Sequence, residues 1–324
     1  MRLIRVRGST ARGALEAVRA RFGPDALVLE VTRRGEEVEA VVAADTETPR
    51  AAAVEDPRSR GLRLRLERAG FLGSVARSLA AAADGRFDTM TALCDAVASR
   101  VATRDLLGSR EPIVLFGAEG SGRTTAAAML AARAALAGRR RVLLIESGPA
   151  PRPHPLLAAC AKLLRGRHVM APTAESLVRT ASSADGFLVV VDFGGCRPLA
   201  DGAAEEIRRL TSALWGAKAV LVADASAPLL LSAQVRALGG AFLSGVGLTR
   251  IDRAGAALAP SLSAMLEHGA HPAFFTSGRE IPQSFHPSTP ESFARLVLTS
   301  VQAEPAARTD FDHGPAAARE SSHA

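Results

Sequence analysis

Apolar runs punctuate the chain from residue 113 onward: Ile113–Phe116, Arg141–Ile145, Phe187–Val191, Ala219–Ala223, Phe242–Leu248 and Pro272–Phe275. Between them lie longer stretches with helical periodicity. Strands that are apolar almost throughout, separated by helices, predict a parallel sheet covered on both faces. The beginning of the chain follows another rhythm. A β-like run at 2–6 precedes a helix that Thr10 can cap and that carries Ala14, Leu15, Val18 and Phe22 on one face, stopped by Gly23-Pro24. Two strands, Ala26–Val31 and Val38–Ala43, follow around a turn at Arg34-Gly35. Residues 1–44 therefore predict a small βαββ unit. Residues 45–60 are polar, proline-bearing and aperiodic, as in a linker. From 61 to 108 the pattern is helical, with Met90, Leu93, Cys94, Val97 and Val101 at core spacing. Residues 109–302 hold the α/β pattern, and 303–324 carry too little apolar surface to be expected to fold.

One segment brings chemistry into this frame. Gly117-Ala118-Glu119-Gly120-Ser121-Gly122-Arg123-Thr124-Thr125 lies between the apolar run Ile113–Phe116 and an alanine-rich helical run, Thr125 to Leu136. Strand, glycine loop and helix together form a phosphate-binding loop, because backbone N–H groups and a helix N-terminus converge on one anion. The pattern ordinarily ends in Gly-Lys followed by Ser or Thr. Here Thr124 keeps the hydroxyl that would hold magnesium, and Arg123 stands where the lysine belongs. A forked guanidinium is not equivalent to a compact ammonium. A glycine turn that only caps a helix would show the same residues.

Composition qualifies the arginine. Of 40 Lys+Arg, only Lys162 and Lys218 are lysines, so arginine is this chain's default cation. The net charge of +7 is compatible with anionic membrane surfaces or RNA. The arginines are scattered, however, and there is no tyrosine, which argues against a dedicated nucleic-acid reader. Cys94, Cys160 and Cys196 are far apart and lack metal spacing, as expected in a reducing cytosol. No apolar run approaches the ~20 residues of a membrane span, and no signal-peptide core is present, so a cytoplasmic protein is expected.

Three further segments fall at carboxyl ends of predicted strands, where ligands bind in open α/β sheets. Asp192-Phe193-Gly194-Gly195 follows Phe187–Val191, in the place of an aspartate that assists magnesium and a glycine amide that reaches a γ-phosphate. Thr249-Arg250-Ile251-Asp252 follows Phe242–Leu248, and the Asp252 carboxylate can accept two hydrogen bonds from a guanine edge. Thr276-Ser277-Gly278-Arg279 follows Pro272–Phe275 and can close over a base. Singly, an Asp-Gly turn and a helix-capping aspartate explain the first two equally well. Their common order on successive strands favours a nucleotide site.

With these motifs in place, the chain resembles the signal-recognition-particle GTPases, and within them the flagellar-biosynthesis FlhF family, related to Ffh and FtsY. Thr10, Ala14-Leu15, Val18-Arg19 and Gly23-Pro24-Asp25-Ala26 are similar to that family's leading B domain. Residues 61–108 resemble its helical N domain and 109–302 its G domain. Thr276 to Pro282 resembles its Gly-Gln-x-Val-Pro closing motif. The resemblance implies GTP and Mg2+ as ligands. Gly117, Gly120, Ser121, Gly122, Arg123, Thr124, Thr125, Asp192, Gly195, Thr249, Asp252 and Gly278 would bind the nucleotide, with Thr124 and Asp192 at the metal. It further implies a GTP-dependent homodimer, flagellar basal-body or export partners, and a peripheral place at the inner face of the cytoplasmic membrane, at a cell pole, in flagellum placement and protein targeting. The departures are specific. Arg123 and Arg250 replace lysines, Phe193 a threonine, Cys196 an arginine and Arg279 a glutamine. The family's Asp-Thr-x-Arg insertion segment, which supplies catalytic groups, should follow Ile145. Instead the chain reads Glu146-Ser147-Gly148-Pro149-Ala150-Pro151-Arg152-Pro153-His154, without the aspartate, and a solvated proline-rich loop is the expectation there. A non-hydrolysing scaffold of the same fold is the alternative, and a positioning-type P-loop ATPase is disfavoured by Asp252.

Overall fold

The structure is a computed structural model. It describes residues 2–8, 10–22, 27–34, 37–44, 56–83, 89–102, 105–138, 141–148, 153–239 and 243–302. Two compact units divide at Pro57.

The first unit is the expected βαββ module. Strand β1 (Arg2–Gly8) is followed by α1 (Ala11–Phe22), β2 (Leu27–Arg34) and β3 (Glu37–Ala44), with β3 central and antiparallel to both neighbours. Thr10 caps α1 as its sequence suggests, its hydroxyl accepting from the Gly13 amide at 3.0 Å. Val6, Ala14, Val18, Val38 and Ala40 form a small core.

The second unit opens with three helices, α2 (Pro57–Ala69), α3 (Gly73–Ala82) and α4 (Thr89–Ala98). Pro57–Arg60, assigned above to the linker by composition, form the first turn of α2. Proline is suited to that position because its fixed φ already matches the helix and its missing N–H has no partner to lose. Of the remaining linker residues, 45–55 lie outside the described set, as do 303–324.

An eight-stranded sheet follows. Its strands are β4 (Ile113–Phe116), β5 (Arg141–Ser147), β6 (Arg167–Ala171), β7 (Phe187–Phe193), β8 (Lys218–Asp224), β9 (Gly245–Thr249), β10 (Pro272–Thr276) and β11 (Phe285–Pro287). The spatial order is β11-β10-β9-β8-β4-β7-β5-β6, parallel except for β11. The helices are α5 (Arg123–Leu136), α6 (Pro155–Leu163), α7 (Ala174–Ser182), α8 (Ala203–Ala213), α9 (Pro228–Leu238), α10 (Leu258–Glu267) and α11 (Pro290–Gln302).

The α/β expectation holds, and β4 shows why. All four of its residues are fully buried, with Val114 and Phe116 in one core and Ile113 and Leu115 in the other. Helices α5 and α6 cover the second face. The first is covered by α7–α11, and Leu66, Leu79 and Leu93 of α2–α4 join the same core. The helical segment is thus continuous with the sheet's packing. Alanine predominates on α5, buried from Ala126 to Ala132, which lets that helix lie close to the strands. Strands β6 and β11 were not anticipated. Both are edge strands, one carrying Arg167 and His168 and the other only three residues long with a proline, so neither presents an apolar run.

The closing helix α11 packs on the helical segment and on the sheet through Phe293, which is fully buried and stacks against Phe275 with ring centroids 6.1 Å apart. Phe293→Ala is expected to lower the unfolding free energy by about 3–5 kcal/mol, the cost of a large aromatic deletion in a core. A urea denaturation midpoint unchanged from wild type would show that α11 is not part of the cooperative core.

Candidate functional site

The loop after β4 is shaped by sterics first. A Cβ on Gly117 would sit 2.2 Å from the Val222 carbonyl oxygen on β8, so only glycine lets the chain leave β4 here. Gly120 and Gly122 take φ values of 76° and 86°, which side chains rarely adopt. Gly122 then starts α5, and its carbonyl accepts the helix's first bond, from Ala126.

Asp192 lies beside this loop, not beyond the strand as its sequence suggested. Strand β7 runs on to Phe193, and Asp192 pairs in register with Leu115 on one side and Glu146 on the other. Its carboxylate is buried. One oxygen accepts from Thr124 Oγ1 at 2.6 Å, and the other bonds Nε of Arg123. Arg123 Nη1 also donates to the Gly117 carbonyl at 3.1 Å. Its Nη2 faces the following turn: a Cβ on Gly194 would lie 3.5 Å from it. Thr124 and Asp192 are therefore brought together as a metal pair would be, but Arg123 shares the same carboxylate.

The other side of the loop is held from β9. Thr249, buried at the end of that strand, donates to the Ser121 carbonyl at 2.7 Å. Arg250 donates to the Gly120 carbonyl at 2.7 Å and pairs with Asp224 at the end of β8. Asp224 also accepts from the Ser226 amide at 2.9 Å and hydroxyl at 2.7 Å. Burial pushes the Asp224 carboxyl up, but the Ser226 bonds and the Arg250 guanidinium outweigh it and hold the group below its usual value of 3.8. Sequence reasoning missed Asp224 and took Arg250 only as a departure. Asp-Ala-Ser after a strand looks like any turn.

A cavity of about 650 Å³ opens between these loops. Gly122 and Thr125 line it from the phosphate loop, with Thr249, Asp252, Thr276 and Gly278 from the other strand ends. The last two loops are coupled, since the Ile251 amide donates to the Thr276 carbonyl at 3.1 Å. Gly278 takes φ 140° against Ser284. Gly195 lies elsewhere, in a neighbouring cavity of about 800 Å³ lined by Ser147, Gly148, Phe193 and helix α8. The twelve site residues thus divide into a phosphate-loop centre, a base-sized cavity and a second cavity beyond Asp192.

Residues 149–152, including Arg152, lie outside the described set. Both flanks of that segment are anchored. A Cβ on Gly148 would meet the Gly195 amide nitrogen at 2.7 Å, and buried Glu146 accepts from the His154 amide and from His168 Nε2, each at 2.7 Å. His154 was expected in a solvated loop. It is exposed and outside the helix, and it also serves as the N-cap of α6, with Nδ1 accepting from the Leu156 amide at 3.2 Å. Cys196, where the family resemblance has an arginine, is buried. Burial, followed by Glu206, pushes its thiol up to about 11 against the lowering effect of Arg123, so it is an inert thiol.

Comparison with known proteins agrees with this geometry at the level of the fold. No family model matches the chain, and no curated protein matches it. A crystal structure of FlhF complexed with GTP and Mg2+ matches with a TM-score of 0.60 at 20% identity, covering 74% of this chain and 98% of that one. The chloroplast FtsY of Physcomitrella patens matches at 0.57, with 24% identity and 74% and 88% coverage. The FtsY of Thermotoga maritima matches at 0.58, with 18% identity and 76% and 89% coverage. The chain has the fold of FlhF and FtsY. That fold is the P-loop sheet with its helical N-terminal segment.

The Asp224–Arg250 contact gives a prediction with a definite sign. A carboxyl held below 3.8 contributes stability that is complete above that pH and is lost as pH falls through the depressed value. Asp224→Asn should therefore lower stability by a constant amount at neutral pH, about 1 kcal/mol or less given the partly exposed arginine. The difference from wild type should shrink as pH falls below about 4. Denaturation midpoints compared across pH check this, and a difference that grows on acidification would show that the contact is not formed.

Proposed function

We propose that this chain is a guanine-nucleotide-binding protein of the signal-recognition-particle GTPase type, acting in flagellum placement and protein targeting at the cytoplasmic membrane. The observation that carries it is the cavity beside Gly122 and Thr125, into which the ends of β8, β9 and β10 bring Asp224, Thr249, Asp252 and Thr276. Asp252 accepts two N–H donors, which a guanine edge offers and adenine does not. Arg250 forms one wall and fixes that wall to the phosphate loop through Gly120. On the phosphate side, the Ser121 hydroxyl is buried without a partner among the described residues, as expected of a group awaiting a ligand. The nucleotide therefore fits the residues present.

The flagellar role rests on the likeness to FlhF together with the leading βαββ module. A homodimer formed with GTP and contacts with flagellar export proteins belong to the same reading. Among the described residues no helix is long and apolar enough to cross a membrane, so membrane contact would be peripheral. The second reading, a scaffold that does not hydrolyse nucleotide, is favoured by one observation: Arg123 is committed to Asp192 and Gly117. Turnover is therefore proposed to be slow. Phosphoryl transfer depends on positioned charge and an oriented water, and a missing transition-state cation costs ~10³–10⁵ in rate.

Competition binding with GTP and ATP tests the assignment. GTP should win, and Asp252→Asn should shift preference toward xanthine nucleotides, whose base offers a carbonyl at the matching position. Equal binding of GTP and ATP, or an Asp252→Asn variant with wild-type preference, would remove guanine from the site. In single-turnover experiments at saturating GTP, hydrolysis should be far slower than the ~1 per second of ordinary enzymes. A rate at or above that value would show that the altered groups suffice.

A further inference from the structure

We infer that Arg123 takes the place of a divalent cation in this site, so that the protein binds its nucleotide without magnesium. The inference rests on the guanine-nucleotide reading above and concerns how the phosphates are held.

The magnesium site implied by the fold's relatives does not fit the residues as arranged. Magnesium demands near-ideal octahedral geometry, keeps several waters and is normally held through one or two carboxylates plus phosphates. The carboxylate available is Asp192, and both its oxygens are engaged, one by the Thr124 hydroxyl and one by Arg123 Nε.

Arg123 is also hard to displace. Its second anchor is the Gly117 carbonyl, so the side chain is fixed at two points 69 and 6 residues away in sequence. Asp192 is only 7% exposed, and withdrawing the guanidinium would leave a buried carboxylate without its counter-charge, which is strongly destabilising. A guanidinium carries five N–H donors and stays charged at any physiological pH. Two donors are committed to Asp192 and Gly117, and Nη2 lies against Gly194, between the phosphate loop and the β7 turn. The remaining donors are therefore available for phosphate oxygens in the space where a divalent cation would stand. A lysine ammonium, with three donors at a single point, could not hold Asp192 and Gly117 and also span this gap.

The experiment is GTP binding to the full chain by calorimetry, in excess magnesium and in excess EDTA. The wild-type dissociation constant is expected to differ less than about threefold between the two conditions. Arg123→Lys frees one oxygen of Asp192, and its binding is expected to weaken by about tenfold or more when magnesium is removed. A wild-type protein that loses GTP in EDTA overturns the inference while leaving the guanine-nucleotide reading intact. No GTP binding in either condition overturns that reading and the inference with it. An Arg123→Lys variant that binds equally well in both conditions overturns the assignment to Arg123. If the variant does not fold, the wild-type pair of measurements still decides the central claim.

Discussion

The Val222 carbonyl leaves no space for a side chain where β4 ends, and the site depends on that contact. Because residue 117 is glycine, the loop leaves the sheet pressed against β8 instead of arching away. Strand β4 lies between β7 and β8, so a loop confined there is within reach of the last residues of both. Asp192 meets it from one side, and Asp224, through Arg250, from the other. The order of strands in the sheet thus selects which carboxylates can act at the loop.

A loop that offers amides to an anion must find donors for its own carbonyls elsewhere. Here the donors to five of its carbonyls can be named. Arg123 bonds Gly117, the Ser121 amide bonds Ala118, Arg250 bonds Gly120, Thr249 bonds Ser121 and the helix bonds Gly122. Thr249 and Arg250 are adjacent at the end of β9, so one strand terminus stabilises two consecutive peptide units of the loop. The residues facing the cavity beside Asp252 and those shaping the phosphate loop are one structure. A displacement of this strand terminus would be felt in the loop through this route.

The local signals in the sequence were sufficient for the sheet's interior and for the loop. Buried strands such as Ile113–Phe116 are apolar at every position, and the glycines at 117, 120 and 122 mark a backbone that other residues cannot adopt. The edges were harder to see. Strand β6 begins with Arg167 and His168 because an edge strand has one open side. Glu146 bonds the His154 amide and the His168 ring, 8 and 22 positions away, and no spacing rule connects them. Asp224 was invisible for a similar reason: its role depends on Arg250, 26 residues later and one strand over. Side-chain partnerships across parallel strands are set by crossover connections, whose lengths a periodic pattern does not encode.

The two lysine-to-arginine exchanges carry different physical weight, although one compositional bias explains the availability of both. Arg250 is 44% exposed at the cavity rim, where a longer, forked cation can satisfy Asp224 and the Gly120 carbonyl together without displacing anything. Extra reach there costs little, because the head group remains partly in water. Arg123 is 18% exposed and enclosed between α5, β7 and the loop's own carbonyl. In that space the planar fork determines what else can be present. It bonds the second carboxylate oxygen of Asp192, holds the start of the loop to its end and places a permanent charge beside Gly194. The same residue type therefore keeps its head group partly in water at the rim and is tied to a buried carboxylate at the centre, and burial separates the two cases.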